Sequence, residues 1–149
     1  MAMVTPGCHA ARNSAAVFDL STRSHVRITG GDRVKFLHNF CTNDIKRLQP
    51  GMGCEAFVCN AKGRTLGHVT VFADEDALWL ESVPDAAPTL IAHLDRYLIR
   101  EDVTLHDSSD DISEIAFVGP QAVQHLASVL NAYESTASLP DLLSRVSRT

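Results

Sequence analysis

The chain has 149 residues, of which 45% are hydrophobic and 21% are charged, and its formal net charge is −5. A chain of this length and composition is expected to form one compact globular domain. The negative charge gives no reason to expect nucleic acid or an anionic membrane surface as a partner. No apolar run reaches the roughly 20 residues that a membrane span requires, and residues 1–14 lack the apolar stretch of a secretory signal. These features predict a soluble, cytoplasmic protein.

The first third of the chain predicts two strands and a helix. Residues 15–21 and 25–30 have the composition of short strands. Residues 30–42 predict a helix, because their apolar residues recur at the three-and-four spacing of a buried stripe, and Asp32 is the expected N-cap. The glycine pair in ITGGDRV would also suit a phosphate-binding loop, but neither GxGxxG nor GxxxxGK[ST] is present and Asp32 would repel a phosphate.

The middle of the chain predicts three successive strands, at 54–60, 64–73 and 77–83. The clearest helix follows at 86–100, with Pro88 in its first turn. Its buried face should include Leu90, Leu94 and Leu98, and Asp95 and Arg96 should lie in water.

Strands at 102–109 and 114–119 and a helix at 120–130 complete the predicted domain, and residues 139–149 predict a weak final helix. Runs of strands between isolated helices indicate an α+β fold. We expect an antiparallel or mixed sheet with the helices packed on one face.

The sequence presents neither an obvious metal site nor a nucleophile–histidine–acid set. The four cysteines, Cys8, Cys41, Cys54 and Cys59, form no CxxC pair and are expected to be ordinary free thiols. On one continuous strand, Cys54 and Cys59 would face opposite sides. The carboxylates of DSSDD (107–111) lack EF-hand spacing, which favours a solvated loop over a metal site. No catalytic residue and no metal ligand is therefore assigned.

The stretch FVCNAKGRTLGHVTVF (57–72) reads as two strands that pair as an antiparallel hairpin through Lys62-Gly63. Gly63 should have a positive φ, which glycine adopts without a Cβ clash. Asn60, Lys62, Arg64 and His68 bring an amide, two cations and an imidazole around this turn, a suitable set for a carboxylate ligand or a glutamate tail. A solvated hairpin tip would explain the same charges.

A series of short motifs carries a family resemblance. In chain order they are FDLS, VRITGGDRVKFLHNFCTNDIKRLQPGMG, NAKGR, HLDRYLIREDVTLHD and FVGPQAVQHL. Their order and spacing, from about residue 15 to residue 130, resemble the N-terminal part of the YgfZ-type folate-binding proteins, which are relatives of the glycine cleavage T-protein (aminomethyltransferase).

The resemblance implies the first part of a three-part cloverleaf around a channel that binds tetrahydrofolate. It also implies a domain organisation: a tail at 1–14, a folate-binding domain at 15–130, and a linker with a weak helix at 131–149 that begins a second part. The tetrahydrofolate-binding candidates would be Asn60, Lys62, Arg64 and His68. Asn43 and Asp44, from CTNDI, are secondary candidates, for which a turn at a helix end is the alternative.

One departure from the family affects the expected activity. The T-protein has an acidic pair just beyond the glycine turn, and this chain has Gly67 and His68 at the matching place. The resemblance therefore favours an accessory protein of the YgfZ type, related to iron–sulfur protein maintenance and without the T-protein's chemistry. One alternative is a piece of a tetrahydrofolate-dependent aminomethyltransferase or other one-carbon transfer enzyme. Another is a non-catalytic split domain that assembles with a partner chain.

Overall fold

The structure is a computed structural model that describes residues 6–134, and it forms two compact units. Unit 1 comprises residues 6–21 and 113–134 of the described chain, and unit 2 comprises residues 22–112. In chain order the helices and strands are α1 (Pro6–Asn13), β1 (Ala16–Asp19), β2 (Ser24–Thr29), α2 (Arg33–His38), β3 (Gly53–Cys59), β4 (Thr65–Ala73), β5 (Ala77–Ser82), α3 (Ala87–Asp95), β6 (Thr104–Asp107), β7 (Ile115–Val118) and α4 (Ala122–Glu134).

This arrangement confirms the α+β prediction, and every predicted strand is present with slightly different ends. Residues 6–13, expected as part of a tail, are helical, and α4 continues to residue 134. The weak helix predicted at 139–149 lies outside the described residues. The predicted domain over 15–130 and the linker over 131–149 stay predictions.

Unit 2 is built on a five-stranded antiparallel sheet in the order β3-β4-β5-β2-β6. One face of this sheet carries apolar residues at alternate positions, and α2 and α3 cover that face. The fully buried strand residues of this core include Val26, Ile28, Val58, Val69, Val71 and Leu80, and the helices add Phe36, Leu37, Leu90 and Leu94. The helices therefore pack on one face, and the other face of the sheet carries the more polar alternate residues.

The predicted helix at 30–42 is shorter in the structure, because the residues that follow His38 pair with strand β3. After α2, the amides of Asn39 and Phe40 bond to carbonyls three residues earlier. The carbonyl of Phe40 then accepts from the amide of Cys59, and Cys41 pairs with Val58. This pairing with β3 requires extended backbone, so the helix cannot continue.

Asp32 occupies the N-cap position of α2 but makes no side-chain capping bond, which corrects the predicted role. Its carboxylate accepts instead from the amide of Asp102, at 3.0 Å. The Asp102 carboxylate accepts in turn from the amide of Gly31, at 2.8 Å. The two aspartates thus tie the loop before α2 to the loop before β6.

The predicted helix at 86–100 also ends early, at Asp95. The amides of Tyr97 and Leu98 bond to carbonyls three residues earlier, and the Glu101 carboxylate accepts from the amides of Ile99 and Arg100. These bonds satisfy the amides of the terminal turn without a further helical turn. Leu90 and Leu94 are buried as predicted, and Asp95 and Arg96 are exposed, but Leu98 is only partly buried because it lies beyond the helix.

Unit 1 contains the antiparallel pair β1–β7, with α1 before β1 and α4 after β7. The amide of Gln121 donates to the carbonyl of Ser14 at 2.9 Å, which joins the start of α4 to the segment between α1 and β1. Gly119 approaches the same segment closely, since a Cβ there would lie 2.5 Å from the Ser14 carbonyl oxygen.

Within residues 6–134, no helix is long and apolar enough to cross a membrane.

Candidate functional site

The basic turn, residues 60–64, joins β3 to β4 as predicted. Gly63 has a φ of +72°, which confirms its predicted conformation. Cys59 pairs with Thr65, whereas Val58 pairs with Gly67, so a β-bulge lies beside the turn. A bulge adds one residue to one strand and changes which side chains meet across the hairpin.

Asn60 organises the backbone of the basic turn. Its side-chain carbonyl oxygen accepts from the amides of Lys62 and Arg64, at 2.9 and 3.1 Å. Its own amide donates to the Arg64 carbonyl, and its carbonyl accepts from the amide of Gly63. Asn60 is therefore at the predicted place, and its side-chain oxygen is already engaged in shaping the turn.

Lys62 and Arg64 project from this rigid loop as exposed side chains. Among the ion pairs and hydrogen bonds of residues 6–134, neither side chain has an acidic partner. The hydrogen bonds of Asn60 fix the backbone that carries both cations. The arrangement can bind a carboxylate or another anion through charge-assisted hydrogen bonds.

His68 does not lie at the basic turn. It is on β4, four residues beyond Arg64, which corresponds to at most about 13 Å along an extended chain. Its ring lies beside Phe57 with a centroid distance of 5.1 Å, and its Nε2 is 3.9 Å from a Glu55 carboxylate oxygen. The structure thus places the imidazole on the open face of the sheet with an acid and an aromatic ring, neither of which the sequence analysis had singled out.

Asn43 and Asp44 lie at the free edge of β3. The Asn43 side-chain amide donates to the Glu55 carbonyl at 2.9 Å, and its oxygen accepts from the Asp44 amide. The Asp44 carboxylate is 3.0 Å from Arg47 Nε and 3.5 Å from His38 Nδ1. Both side chains have partners within the fold, an arrangement that suits the turn alternative.

Gly67 lies on the covered face of the sheet, opposite Val58. A Cβ at this position would lie 3.2 Å from a methyl carbon of Leu90 on α3. Glycine therefore allows the helix to pack close to β4. Gly67 thus faces this buried helix, whereas its neighbour His68 lies on the open face.

Cys54 and Cys59 lie on β3, and Cys41 pairs with the neighbouring Val58. The pKa of Cys41 is raised to about 12, mainly by burial and to a smaller extent by the thiols of Cys54 and Cys59. All four cysteines are free, and residues 6–134 contain no group of three or more potential metal ligands.

Comparison with known proteins connects this geometry with a family. The family model of the GCVT N-terminal domain matches residues 1–143. An aminomethyltransferase of Bacillus velezensis is 30% identical over 123 residues, which is 79% of this chain and 32% of that protein. The alpha subunit of a sarcosine oxidase from Corynebacterium is 28% identical over 132 residues, which is 85% of this chain and 14% of the subunit.

A solved structure shows the same fold. The chain superposes on the glycine cleavage system aminomethyltransferase T of Bartonella henselae with a TM-score of 0.69 and 22% identity, over 80% of this chain and 33% of the other. The chain therefore spans about a third of the length of the aminomethyltransferases named here. These matches confirm the predicted resemblance to the T-protein superfamily. The chain belongs to the GCVT N-terminal domain family.

Proposed function

We propose that this chain is the tetrahydrofolate-binding first part of a folate-dependent one-carbon transferase of the aminomethyltransferase type. Aminomethyltransferases are among its relatives, and the family match extends over residues 1–143. The single observation that carries the proposal is the pair of cations Lys62 and Arg64, which have no acidic partner within residues 6–134, on a turn that the Asn60 side chain organises by two hydrogen bonds. Their expected ligand is the glutamate carboxylate tail of the folate.

The proposal assigns different roles to the six candidate residues. Lys62 and Arg64 contact the ligand, and Asn60 positions them by fixing the turn. His68 is too far along β4 to share one carboxylate with them, and it would contact another part of the ligand. Asn43 and Asp44 support the edge of β3.

The test is isothermal titration of the chain with tetrahydrofolate. The double variant Lys62→Ala/Arg64→Ala should bind at least about tenfold more weakly, because two charge-assisted contacts are lost. Added salt should weaken binding to the unmutated chain, since exposed charges are screened. The double variant Lys46→Ala/Arg100→Ala removes the same charge from two other exposed positions of unit 2 and should bind as the unmutated chain does.

Two results would contradict the proposed role of the turn. Unchanged affinity together with a lower unfolding midpoint in the Lys62/Arg64 double variant would make the turn structural. Absence of tetrahydrofolate binding would also contradict it, if binding were absent both in the chain alone and in a fusion to the remaining part of the Bacillus velezensis enzyme. That fusion supplies any channel wall that the chain lacks.

A second candidate is a cytoplasmic folate-binding accessory protein of the YgfZ type, related to iron–sulfur protein maintenance. What supports it is the sequence resemblance, which implies that Gly67 and His68 stand where the T-protein has its acidic pair. A Cβ at Gly67 would lie 3.2 Å from a methyl carbon of Leu90, so a larger side chain at that position would require the Leu90 side chain to shift. The accessory role predicts tetrahydrofolate binding without turnover, whereas the transferase predicts that the fusion consumes tetrahydrofolate when an aminomethyl donor is supplied.

A further inference from the structure

The hairpin of β3 and β4 continues past the rest of the five-stranded sheet at the end that carries the basic turn. β4 pairs with β5 only from Ala73 to Thr70. From Val69 to Thr65, the one strand of residues 6–134 that pairs with β4 is β3. A hairpin of two strands is marginally stable in water. The part of the hairpin next to the turn therefore needs other contacts to keep a fixed place on the sheet.

Ser82 supplies one of these contacts, on the β4 side of the hairpin. It is the last residue of β5 and is only 1% exposed, and its hydroxyl donates to the carbonyl of His68 at 2.7 Å. His68 lies two residues from Thr70, where the β4–β5 pairing stops. The side-chain hydroxyl thus takes the place of a main-chain partner. Because Ser82 is buried, breaking this bond would leave polar groups without a partner, which costs free energy.

Thr42 supplies the corresponding contact on the β3 side. β3 is an edge strand of the sheet, and residues 40–43 run along its outer edge. The hydroxyl of Thr42 accepts from the amide of Phe57 at 2.9 Å, and the amide of Thr42 donates to the Phe57 carbonyl at 3.1 Å. Two residues nearer the turn, the amide of Cys59 donates to the carbonyl of Phe40 at 3.0 Å. A side-chain hydroxyl again completes a ladder of main-chain bonds.

The two hydroxyls act at the same level of the hairpin. Phe57 and His68, the residues that they hold, are directly opposite each other in the antiparallel register. The chain between these two residues contains the basic turn and the β-bulge beside it. The position of the turn relative to the sheet therefore depends on both hydroxyls, one on each strand.

We propose that Ser82 and Thr42 are positioning residues for anion binding at the basic turn. The inference rests on the proposed function, because it takes Lys62 and Arg64 as the groups that contact the ligand. Asn60 shapes the turn internally, and the two hydroxyls fix the place of the turn on the sheet. A ligand that meets a turn already in place does not have to order it, and such ordering would weaken binding.

The first measurement is hydrogen–deuterium exchange of the full chain without ligand. Ser82→Ala and Thr42→Val each remove one hydroxyl, and the second variant keeps the shape of the side chain. Each should speed exchange of the amides of residues 59–65 by at least about threefold. The amides of Val71 and Phe72 should be unaffected, because strands pair with β4 on both sides there. Thr42 is exposed, so its variant tests the inference even where Ser82→Ala does not fold.

The second measurement is isothermal titration with tetrahydrofolate, on the full chain and on the fusion to the remaining part of the Bacillus velezensis enzyme. Ser82→Ala and Thr42→Val should each bind about three- to tenfold more weakly. The affinity of each variant should also depend less on salt, because its cations contact the ligand for less of the time. Thr42→Ser keeps the hydroxyl and should restore both the slow exchange of the turn and the affinity.

Ser24→Ala is the matched control for Ser82→Ala. Ser24 lies opposite Ser82 in the β2–β5 register and is 3% exposed. Its hydroxyl accepts from the amides of Ala86 and Ala87 at the start of α3, at 2.9 and 3.2 Å, so its loss weakens the attachment of the helix. This variant should lower the free energy of unfolding and leave both the exchange of the turn and the affinity unchanged.

Three results would overturn the inference. One is unchanged exchange of residues 59–65 in both hydroxyl variants, and another is faster exchange there with unchanged affinity. The third is absence of tetrahydrofolate binding by the unmutated chain and by the unmutated fusion. That result would overturn the proposed function as well, and it is distinguished from the other two because it is seen without any substitution.

Discussion

At the scale of single residues, Gly30 shows how closely two loops of unit 2 approach. Its φ is +104°, and a Cβ there would lie 2.1 Å from the Asp102 carbonyl oxygen. Only glycine combines that backbone angle with that contact. The close approach brings Asp102 within hydrogen-bond distance of Gly31 and Asp32, so the carboxylate of Asp32 reaches the second loop and does not cap α2.

Cys41 provides a prediction at the same scale. Burial raises its pKa from the ordinary 9.0 to about 12, so it stays a protonated and unreactive thiol at about pH 8. Iodoacetamide should label it at least about tenfold more slowly than the exposed Cys8, as measured by mass spectrometry of the labelled peptides. In denaturant the two rates should become equal, and equal rates in the folded protein would contradict the burial of Cys41.

The same shift predicts a stability change at alkaline pH. Because the folded pKa lies above the ordinary value, the protonated thiol favours folding, and its contribution is complete below about pH 9. As pH rises from 9.0 towards 12, the unfolded chain loses this proton before the folded protein does, and the free energy of unfolding falls. A Cys41→Ala variant should lose less stability over this range.

At the scale of elements, α3 is held to the sheet by its apolar side. The Leu90 side chain packs beside Gly67, where the absence of a Cβ leaves room for it. Leu94, one turn later, is completely buried. His93 is also buried and packs by edge contacts against Phe40 and Tyr97, with ring centroids 5.8 and 5.3 Å away. These contacts join the end of α3 to the end of α2 on the covered face of the sheet.

Leu94→Ala should lower the free energy of unfolding by about 2–5 kcal/mol, because it removes buried methyl groups and leaves a cavity. Urea denaturation measures this loss. Leu66→Ala is the matched control on the exposed part of β4 and should cost much less. A loss at Leu94 as small as that at Leu66 would mean that α3 does not pack on the sheet in solution.

At the scale of the whole molecule, the two units differ in how much core they have. The buried cluster of large apolar side chains belongs to unit 2, whereas unit 1 exposes most of its apolar strand residues. Hydrophobic burial is the main stabilising contribution to folding. Unit 1 should therefore be the less stable of the two.

Urea titration can separate the units, because Trp79 is the only tryptophan and lies on β5 of unit 2. Its fluorescence should change in one cooperative transition, and the far-ultraviolet circular dichroism should begin to fall at lower urea as the helices of unit 1 unfold. Leu94→Ala should move the fluorescence transition and leave the early dichroism change in place. Coincident transitions in both signals would show that the two units unfold together.

Local pattern was enough to predict the strands, the side of α3 that is buried and the conformation of Gly63. Each depends on a short-range cause: the alternation of side chains along a strand, the 3.6-residue period of a helix, or the steric freedom of glycine. The ends of α2 and α3 were predicted too far along the chain. Those ends are set by hydrogen bonds to Cys59 and by the Glu101 carboxylate, partners that periodicity does not reveal.

In the candidate site, too, local sequence predicted some features and long-range pairing decided others. The sequence by itself determined that a turn with Asn60, Lys62, Gly63 and Arg64 joins two strands, because glycine and asparagine favour such turns locally. The tertiary structure decided where His68 lies. Without the bulge, the pairing of Cys59 with Thr65 would continue and place His68 opposite the buried Ala56; with it, His68 lies opposite Phe57 on the open face. A shift of one residue exchanges the two faces of a strand, and the bulge that causes it depends on long-range pairing.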